Sequence, residues 1–132
     1  MGWIATTQTE ARIYEVLGQR GKEFKALSCA VTVMEKLLLE EKLSVYDIRV
    51  TKQIYPEVAR QLGDSQANIT RNIERAARRC WELKEKKMKE VVIGDPLEEI
   101  HTPKDIILYL AVYAHFGISY YEALRKFPEC FG

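Results

Sequence analysis

The chain is 132 residues long, the size of a single domain, and a chain of this length can bury a core without disulfides or a structural metal. Its residues are 47% hydrophobic and 30% charged, which is typical of a soluble globular protein. No apolar run approaches the roughly 20 residues that span a bilayer, and the N-terminus lacks the pattern of a signal peptide. Three widely spaced cysteines (Cys29, Cys80 and Cys130) indicate free thiols in a reducing compartment. We therefore expect a cytoplasmic protein that does not associate with membranes.

The net charge is only +1, but the basic residues are concentrated in one part of the chain. Residues 50–90 contain ten lysines and arginines against six acidic residues, a net charge of +4, so the remainder carries −3. For nucleic-acid binding the distribution of charge matters more than its sum. A nucleic-acid site, if the chain has one, is expected in this segment.

Helical periodicity and boundary signals divide the chain into short helices. Predicted helices cover residues 6–19, 22–41, 44–55, 56–62 and about 65–87, a single turn covers 97–100, and two further helices begin at Thr102 and Ser119 and end at Gly117 and Pro128. No segment has the pattern of a strand. The predicted fold class is therefore all-α, a compact bundle of about six or seven helices that contains a helix-turn-helix.

Residues 56–87 have the outline of that helix-turn-helix. Pro56 suits the first turn of a short helix, and Gly63 is a natural C-cap for it. Asp64 or Ser65 then caps the longer helix that follows. A short helix, a tight turn containing Gly and a longer helix are the order found in DNA-binding helix-turn-helix proteins, where the second helix reads the major groove.

The longer helix has an apolar face and a polar face, which are fully separated when its residues are placed at about 100° intervals around the helix axis. The face predicted to lie on the core comprises Ile69, Ile73, Ala76, Ala77, Cys80 and Leu83. The opposite face comprises Asn68, Arg71, Asn72, Arg75, Arg78 and Arg79. Arg can bind guanine or phosphate with two hydrogen bonds, and Asn can pair with adenine, so this face predicts DNA binding. A solvated surface helix with Arg–Glu pairs is the alternative interpretation.

Two segments carry a resemblance to a known family. Residues 50–62, with their Tyr55-Pro56 pair, and residues 69–81, which end in Trp81, resemble the C-terminal effector domain of stage 0 sporulation protein A, the transcription factor family that initiates sporulation. The resemblance spans roughly residues 9–112. It implies an all-α domain of about six helices that binds duplex DNA through the major groove.

The resemblance is uneven at the positions where family members contact DNA. Arg71 matches a family Arg, and Arg75 stands where the family has His. Asn68 replaces a family Arg, Thr70 replaces a Glu, and Glu74 replaces an Arg. These differences predict that this protein does not read the family's own DNA site.

These considerations assign a role to each candidate residue. Base edges are expected to be read by Asn68, Arg71, Asn72 and Arg75, and phosphates to be held by Lys52, Arg60, Arg78 and Arg79. The expected partner is double-stranded DNA, which implies a nucleoid-associated transcription regulator. RNA polymerase or a regulator protein, and a second copy of the chain on DNA, are further partners to consider. The competing hypothesis is a protein-interaction module that keeps the fold but has lost DNA reading.

The family's regulator carries an N-terminal receiver domain, which this sequence lacks, so we expect a stand-alone domain; an excised domain is the alternative. We expect residues 1–132 to form one domain, with residues 113–132 as a C-terminal helical extension. Five aromatic residues near its end are expected either to pack on the core or to form a partner surface: Phe116, Tyr120, Tyr121, Phe127 and Phe131.

Catalytic and metal-binding motifs are not found in the sequence. There is no phosphate-binding loop, no HExxH pair and no nucleophile elbow. His101, His115 and Cys130 do not have the spacing of a compact zinc site. We therefore expect no enzyme activity, no metal and no cofactor.

Overall fold

A computed structural model describes residues 7–18, 21–94 and 102–131 of the chain. Six α-helices account for most of them: α1 (Thr7–Leu17), α2 (Lys22–Glu35), α3 (Tyr55–Leu62), α4 (Gln66–Lys87), α5 (Pro103–Phe116) and α6 (Tyr120–Lys126). Single 3-10 or π-helical turns lie at Lys36–Glu40, Val45–Asp47, Val50–Ile54, Met88–Ile93 and Pro128–Phe131. The described ranges contain no strand, so the predicted all-α fold class is confirmed. The turn predicted for residues 97–100 lies outside the described residues.

Helices α2 and α5 form the core of the bundle. A helix that is apolar on nearly every side must be surrounded by other elements. In α2, nine of the fourteen residues are buried, and the helix contacts α1, α3, α4 and α5. In α5, every residue from Ile106 to Val112 is buried. The other helices therefore pack around this pair, and α4 lies directly on α2.

The predicted starts of the last two helices are confirmed. The Thr102 hydroxyl accepts a hydrogen bond from the Asp105 amide, and the Ser119 hydroxyl accepts one from the Glu122 amide, each over 3.4 Å. Such N-caps satisfy backbone donors that the first turn of a helix leaves unpaired. Gly117 ends α5 in the left-handed conformation, with φ +74°.

The single helix predicted over residues 44–55 is wrong. Only Val45–Asp47 forms a 3-10 turn there, and Ile48 and Arg49 are extended, with ψ values of 122° and 112°. The extended backbone accompanies complete burial of the Ile48 side chain. Packing of this kind commonly overrides local helix propensity. The chain becomes helical again at Val50–Ile54 and continues without a break into α3.

The C-terminal aromatic residues pack against the body of the fold. The rings of Phe116 and Phe127 stack with centroids 4.8 Å apart, and Tyr120 contacts Tyr109 edge-on at the same distance. Tyr121 is half-buried against the core. The side chain of Phe131 is outside the described part of the structure. These contacts agree with the packing interpretation of the cluster.

Candidate nucleic-acid interface

The turn between α3 and α4 is built by three residues with distinct roles. Gly63 adopts φ +66° and ψ 39°, the left-handed conformation that the predicted C-cap requires. Asp64 then accepts a hydrogen bond from the Ser65 amide over 2.7 Å. Ser65 is the N-cap, and its hydroxyl accepts from the Asn68 amide over 3.2 Å. The predicted order of short helix, tight turn and longer helix is therefore present.

The buried face of α4 seats the helix on the core. Ile69, Ile73, Ala76, Ala77 and Cys80 are at most 3% exposed, as predicted. Burial raises the pKa of the Cys80 thiol to about 12, as expected for a small apolar residue rather than a reactive one.

Leu83 is the exception to the predicted buried face. It is 65% exposed, so its assignment to the core is wrong. The backbone leaves helical geometry at Lys84, with φ −130° and ψ 33°. Trp81 and Met88 are buried in this region instead, at 4% and 0% exposure. The two-face pattern therefore holds only from Asn68 to Trp81.

The opposite face of α4 is polar and accessible. Five of its six predicted residues are exposed, and Asn72 is half-buried: Asn68, Arg71, Arg75, Arg78 and Arg79 are the exposed ones. Among the described residues, none forms an ion pair with Arg78. We call this set, with Asn72, the arginine face.

The start of the arginine face is ordered by a short chain of hydrogen bonds. The side-chain amide of Asn68 donates a hydrogen bond to Asp64 over 3.1 Å, and the Arg71 guanidinium donates one to the side-chain oxygen of Asn68 over 3.5 Å. The hydrogen bond from Asn68 lowers the pKa of Asp64, and the one from the Ser65 backbone amide adds a smaller effect in the same direction. Asp64 also lies 3.8 Å from the ammonium of Lys22. Two of the predicted base-reading residues are thus brought together and oriented.

The centre of the arginine face is tied to α2 by Glu23. One carboxylate oxygen of Glu23 lies 3.7 Å from the Arg75 guanidinium, and the other lies 3.2 Å from that of Arg79. The sequence interpretation missed Glu23, because more than 50 positions separate it from both arginines. The signal available in the sequence was an acidic residue in the first turn of a predicted helix, between Lys22 and Lys25.

The predicted phosphate contacts outside α4 lie on the segment that precedes it. Arg60 is exposed and forms an ion pair with Glu57 one turn earlier on α3. Hydrogen bonds from Arg60 lower the pKa of Glu57 to about 2, and a hydrogen bond from Gln61 adds a smaller effect in the same direction. Lys52 is also exposed, next to Thr51, whose carbonyl accepts from the Gln66 side chain over 3.2 Å. Lys52 therefore lies near the start of α4, whereas Arg60 has a local partner.

A groove of about 240 Å³ borders the arginine face where α2 begins. It is lined by Lys22, Lys25, Ala26, Leu62, Asp64, Ile69 and Asn72. This position explains why Asn72 is half-buried. Of the predicted readers, Asn72 therefore projects toward α2 and not straight outward.

Glu74 lies to the side of the arginine face. Burial raises the pKa of the Tyr55 hydroxyl to about 12, and the nearby Glu74 carboxylate adds to the effect. Tyr55 is the first residue of α3 and is 1% exposed. The exposed Glu74 therefore lies close enough to α3 to act on Tyr55.

Metal-binding clusters and membrane-spanning helices are absent from the described ranges. Nowhere in them do three or more His, Cys, Asp or Glu side chains come together in a metal-binding cluster; His101 lies outside these ranges. No helix within them has the length and apolar character needed to cross a membrane. Comparisons with protein-family models, with curated proteins and with solved structures find no match to this chain.

Proposed function

We propose that this chain is a sequence-specific double-stranded DNA-binding protein that places α4 in the major groove. The observation that carries the proposal is the arginine face, which stands exposed on a helix whose other side is buried. The three-residue turn that ends at Ser65 supports it, because this turn presents the N-terminal half of α4 at the surface. Regulation of transcription, as in the sporulation family that the sequence resembles, is the biological role we infer.

Within the arginine face we assign two roles. Asn68, Arg71, Asn72 and Arg75 read base edges, and Arg78 and Arg79 hold phosphates together with Lys52 and Arg60. Arg71 is the strongest candidate reader, because its long hydrogen bond to Asn68 orients the guanidinium and costs little to break. Arg78 is a candidate phosphate ligand, because it is exposed and no described residue forms an ion pair with it.

Selection of bound duplexes from a random pool of about 20 base pairs, at ~0.15 M salt, tests this proposal. We expect the wild-type chain to enrich one sequence pattern. The Arg71→Ala variant should enrich a pattern that is degenerate at the base pair that Arg71 contacts. A wild-type chain that enriches no duplex over many rounds would rule the proposal out.

A protein-interaction module is the second candidate, and the pairing of Arg75 and Arg79 with Glu23 favours it. These two guanidinium groups already have a carboxylate partner within the fold. Such a module would bind its protein partner equally well after Arg71→Ala and Arg75→Ala substitution. Neither the wild type nor the variants would bind duplex DNA. Loss of DNA binding in these variants, from a wild type that binds, would exclude this candidate.

A further inference from the structure

Two lysines at the start of α2 lie beside the arginine face. Lys22 and Lys25 are three positions apart, so they share one side of the helix, and both are exposed. They line the same groove as Asn72, one of the proposed base-reading residues. More than 40 positions separate them from Asn72 in the sequence, so they lie outside the basic segment of residues 50–90. The fold therefore adds two cations to the edge of the arginine face.

Lys22 is positioned at this edge by a weak ion pair. Its ammonium lies 3.8 Å from the Asp64 carboxylate, and its side chain is 77% exposed. An exposed pair of this kind contributes little to stability, so Lys22 can exchange Asp64 for a phosphate at small cost. Asp64 also accepts hydrogen bonds from Asn68 and from the Ser65 amide, which do not involve Lys22. The turn before α4 therefore places Lys22 without committing its charge.

The two lysines and Lys52 lie on different flanks of α4. At 3.6 residues per turn, Gln66 and Asn72 project about 120° apart around the helix, on either side of its buried face. Gln66 donates to the Thr51 carbonyl, next to Lys52, over 3.2 Å, whereas Asn72 borders the groove beside α2. The exposed part of the arginine face therefore has lysines along both of its edges.

The dimensions of B-DNA bring both edges of such a helix to the phosphates. The major groove is about 12 Å wide, and an α-helix with its side chains is about 10–12 Å across. A helix in the groove therefore extends from one sugar-phosphate backbone to the other. Groups on either side of it lie against the phosphates of different strands. Lysine suits this contact, because its ammonium is a point charge on a flexible stem and binds phosphate without reading sequence.

We propose that Lys22 and Lys25 form a second phosphate-binding site, which holds the DNA strand on the side of α4 opposite to Lys52. The inference rests on the proposed DNA binding. It extends the interface to α2, so that the reading helix is held in the groove from both edges.

Paired substitutions and a salt titration test the site. The double variant Lys22→Ala/Lys25→Ala removes both charges, and Lys22→Arg/Lys25→Arg retains them. The control Arg125→Ala/Lys126→Ala removes two charges from exposed positions of α6, where Lys126 forms an ion pair with Glu122 over 3.2 Å. Far-ultraviolet circular dichroism establishes that each variant is folded. Each is titrated, over a range of salt, with the duplex enriched by the wild type and with a mixed-sequence duplex of about 20 base pairs.

We expect the α2 alanine variant to bind both duplexes more weakly, by about fivefold or more, with a salt slope smaller by about 1.8. The arginine variant and the α6 control should keep the slope of the wild type. A loss of slope in the α2 alanine variant no larger than that in the α6 control would overturn the inference and leave DNA binding intact. Absence of duplex binding by the wild type would overturn both proposals.

Ethylation of single phosphates in the enriched duplex then locates the contacts. Ethylation removes the charge of one phosphate, so it weakens binding wherever the protein holds that phosphate. We expect Lys22→Ala/Lys25→Ala to lose sensitivity at phosphates of one strand, and Lys52→Ala to lose it at phosphates across the major groove. Unchanged sensitivity in the α2 variant, or loss at the same phosphates in both variants, would contradict a second site on the opposite strand.

Discussion

The Arg71 guanidinium lies 3.5 Å from the side-chain oxygen of Asn68, one turn earlier on α4. This distance is at the long end of the hydrogen-bond range, so the contact orients Arg71 but holds it weakly. Asn68 is fixed more firmly, because its amide donates to Asp64 over 3.1 Å and its backbone is capped by Ser65. The first turns of α4 therefore present an oriented, releasable pair of hydrogen-bonding groups.

Replacement of Arg71 tests this pair most directly. Arg71→Ala should weaken binding to the enriched duplex by about 1–3 kcal/mol and relax selectivity at the base pair it contacts. Arg71→Lys keeps the charge and loses the two-pronged donor, so it should lose selectivity while the salt slope stays unchanged. Titrations against the enriched duplex and its single-base variants measure both quantities. Full selectivity in Arg71→Ala would show that Arg71 does not read a base.

Arg78 should behave differently from Arg71. Because it is exposed and no described residue forms an ion pair with it, Arg78→Ala should weaken binding to all duplexes alike and reduce the salt slope by about 1. Arg125→Ala removes the same charge from an exposed position of α6 and should leave the slope unchanged. A slope that falls equally in both variants would indicate a general charge effect.

Among the glycines of the described residues, Gly94 should tolerate alanine least. It adopts φ +83°, and an added Cβ would overlap the Ser119 hydroxyl that caps α6. Gly94→Ala should destabilise the fold by about 2–4 kcal/mol, because the left-handed backbone and the overlap both cost free energy. Gly63→Ala meets open space at φ +66° and should cost only about 1–2 kcal/mol. Urea unfolding of the two variants measures the difference, and equal losses would argue against the close approach.

Glu35 should make stability depend on pH. Burial raises the pKa of its carboxyl above the ordinary 4.5, although a hydrogen bond from Thr9 and the nearby His115 act in the opposite direction. The folded chain therefore holds this proton more tightly than the unfolded chain. The contribution of Glu35 to stability is fully present below pH 4.5, falls as pH rises through the raised pKa, and is lost above it.

The Glu35→Gln variant isolates this contribution. Glutamine keeps an acceptor for the Thr9 hydroxyl, which donates to the Glu35 carboxylate over 2.6 Å, but it cannot ionise. The stability of the variant relative to the wild type should therefore increase as pH rises from about 4.5 to 7. Urea unfolding at a series of pH values measures the difference. A difference that is independent of pH would contradict burial as the dominant cause.

Much of the fold was predictable because its boundaries are set by local chemistry. Gly63 and Gly117 adopt the left-handed conformations that their predicted C-caps need, and Ser119 and Thr102 cap helices as expected. The buried face of α4 was also predictable as far as Cys80. These features depend on neighbours within about four positions in the sequence.

The errors came from packing between distant segments. Burial of Ile48 accompanies extended backbone where helix was expected, and the irregular backbone at Lys84 leaves Leu83 in solvent. The ion pairs of Glu23 join α2 to α4 and cannot be seen in the periodicity of either helix. The candidate base-reading residues could thus be predicted from the local sequence. The ion pairs of Arg75 and Arg79 with Glu23 could be found only in the three-dimensional fold.

The proposed DNA binding depends on α4 reading bases through the major groove. The most direct measurement is a fluorescence-anisotropy titration of the enriched duplex and of a copy in which its purines are 7-deazapurines. This substitution removes the N7 acceptor in the major groove and leaves the minor-groove edges and phosphates in place. We predict that the substituted duplex binds about tenfold or more weakly, with the same salt slope. Equal affinity for the two duplexes would contradict major-groove reading by this helix.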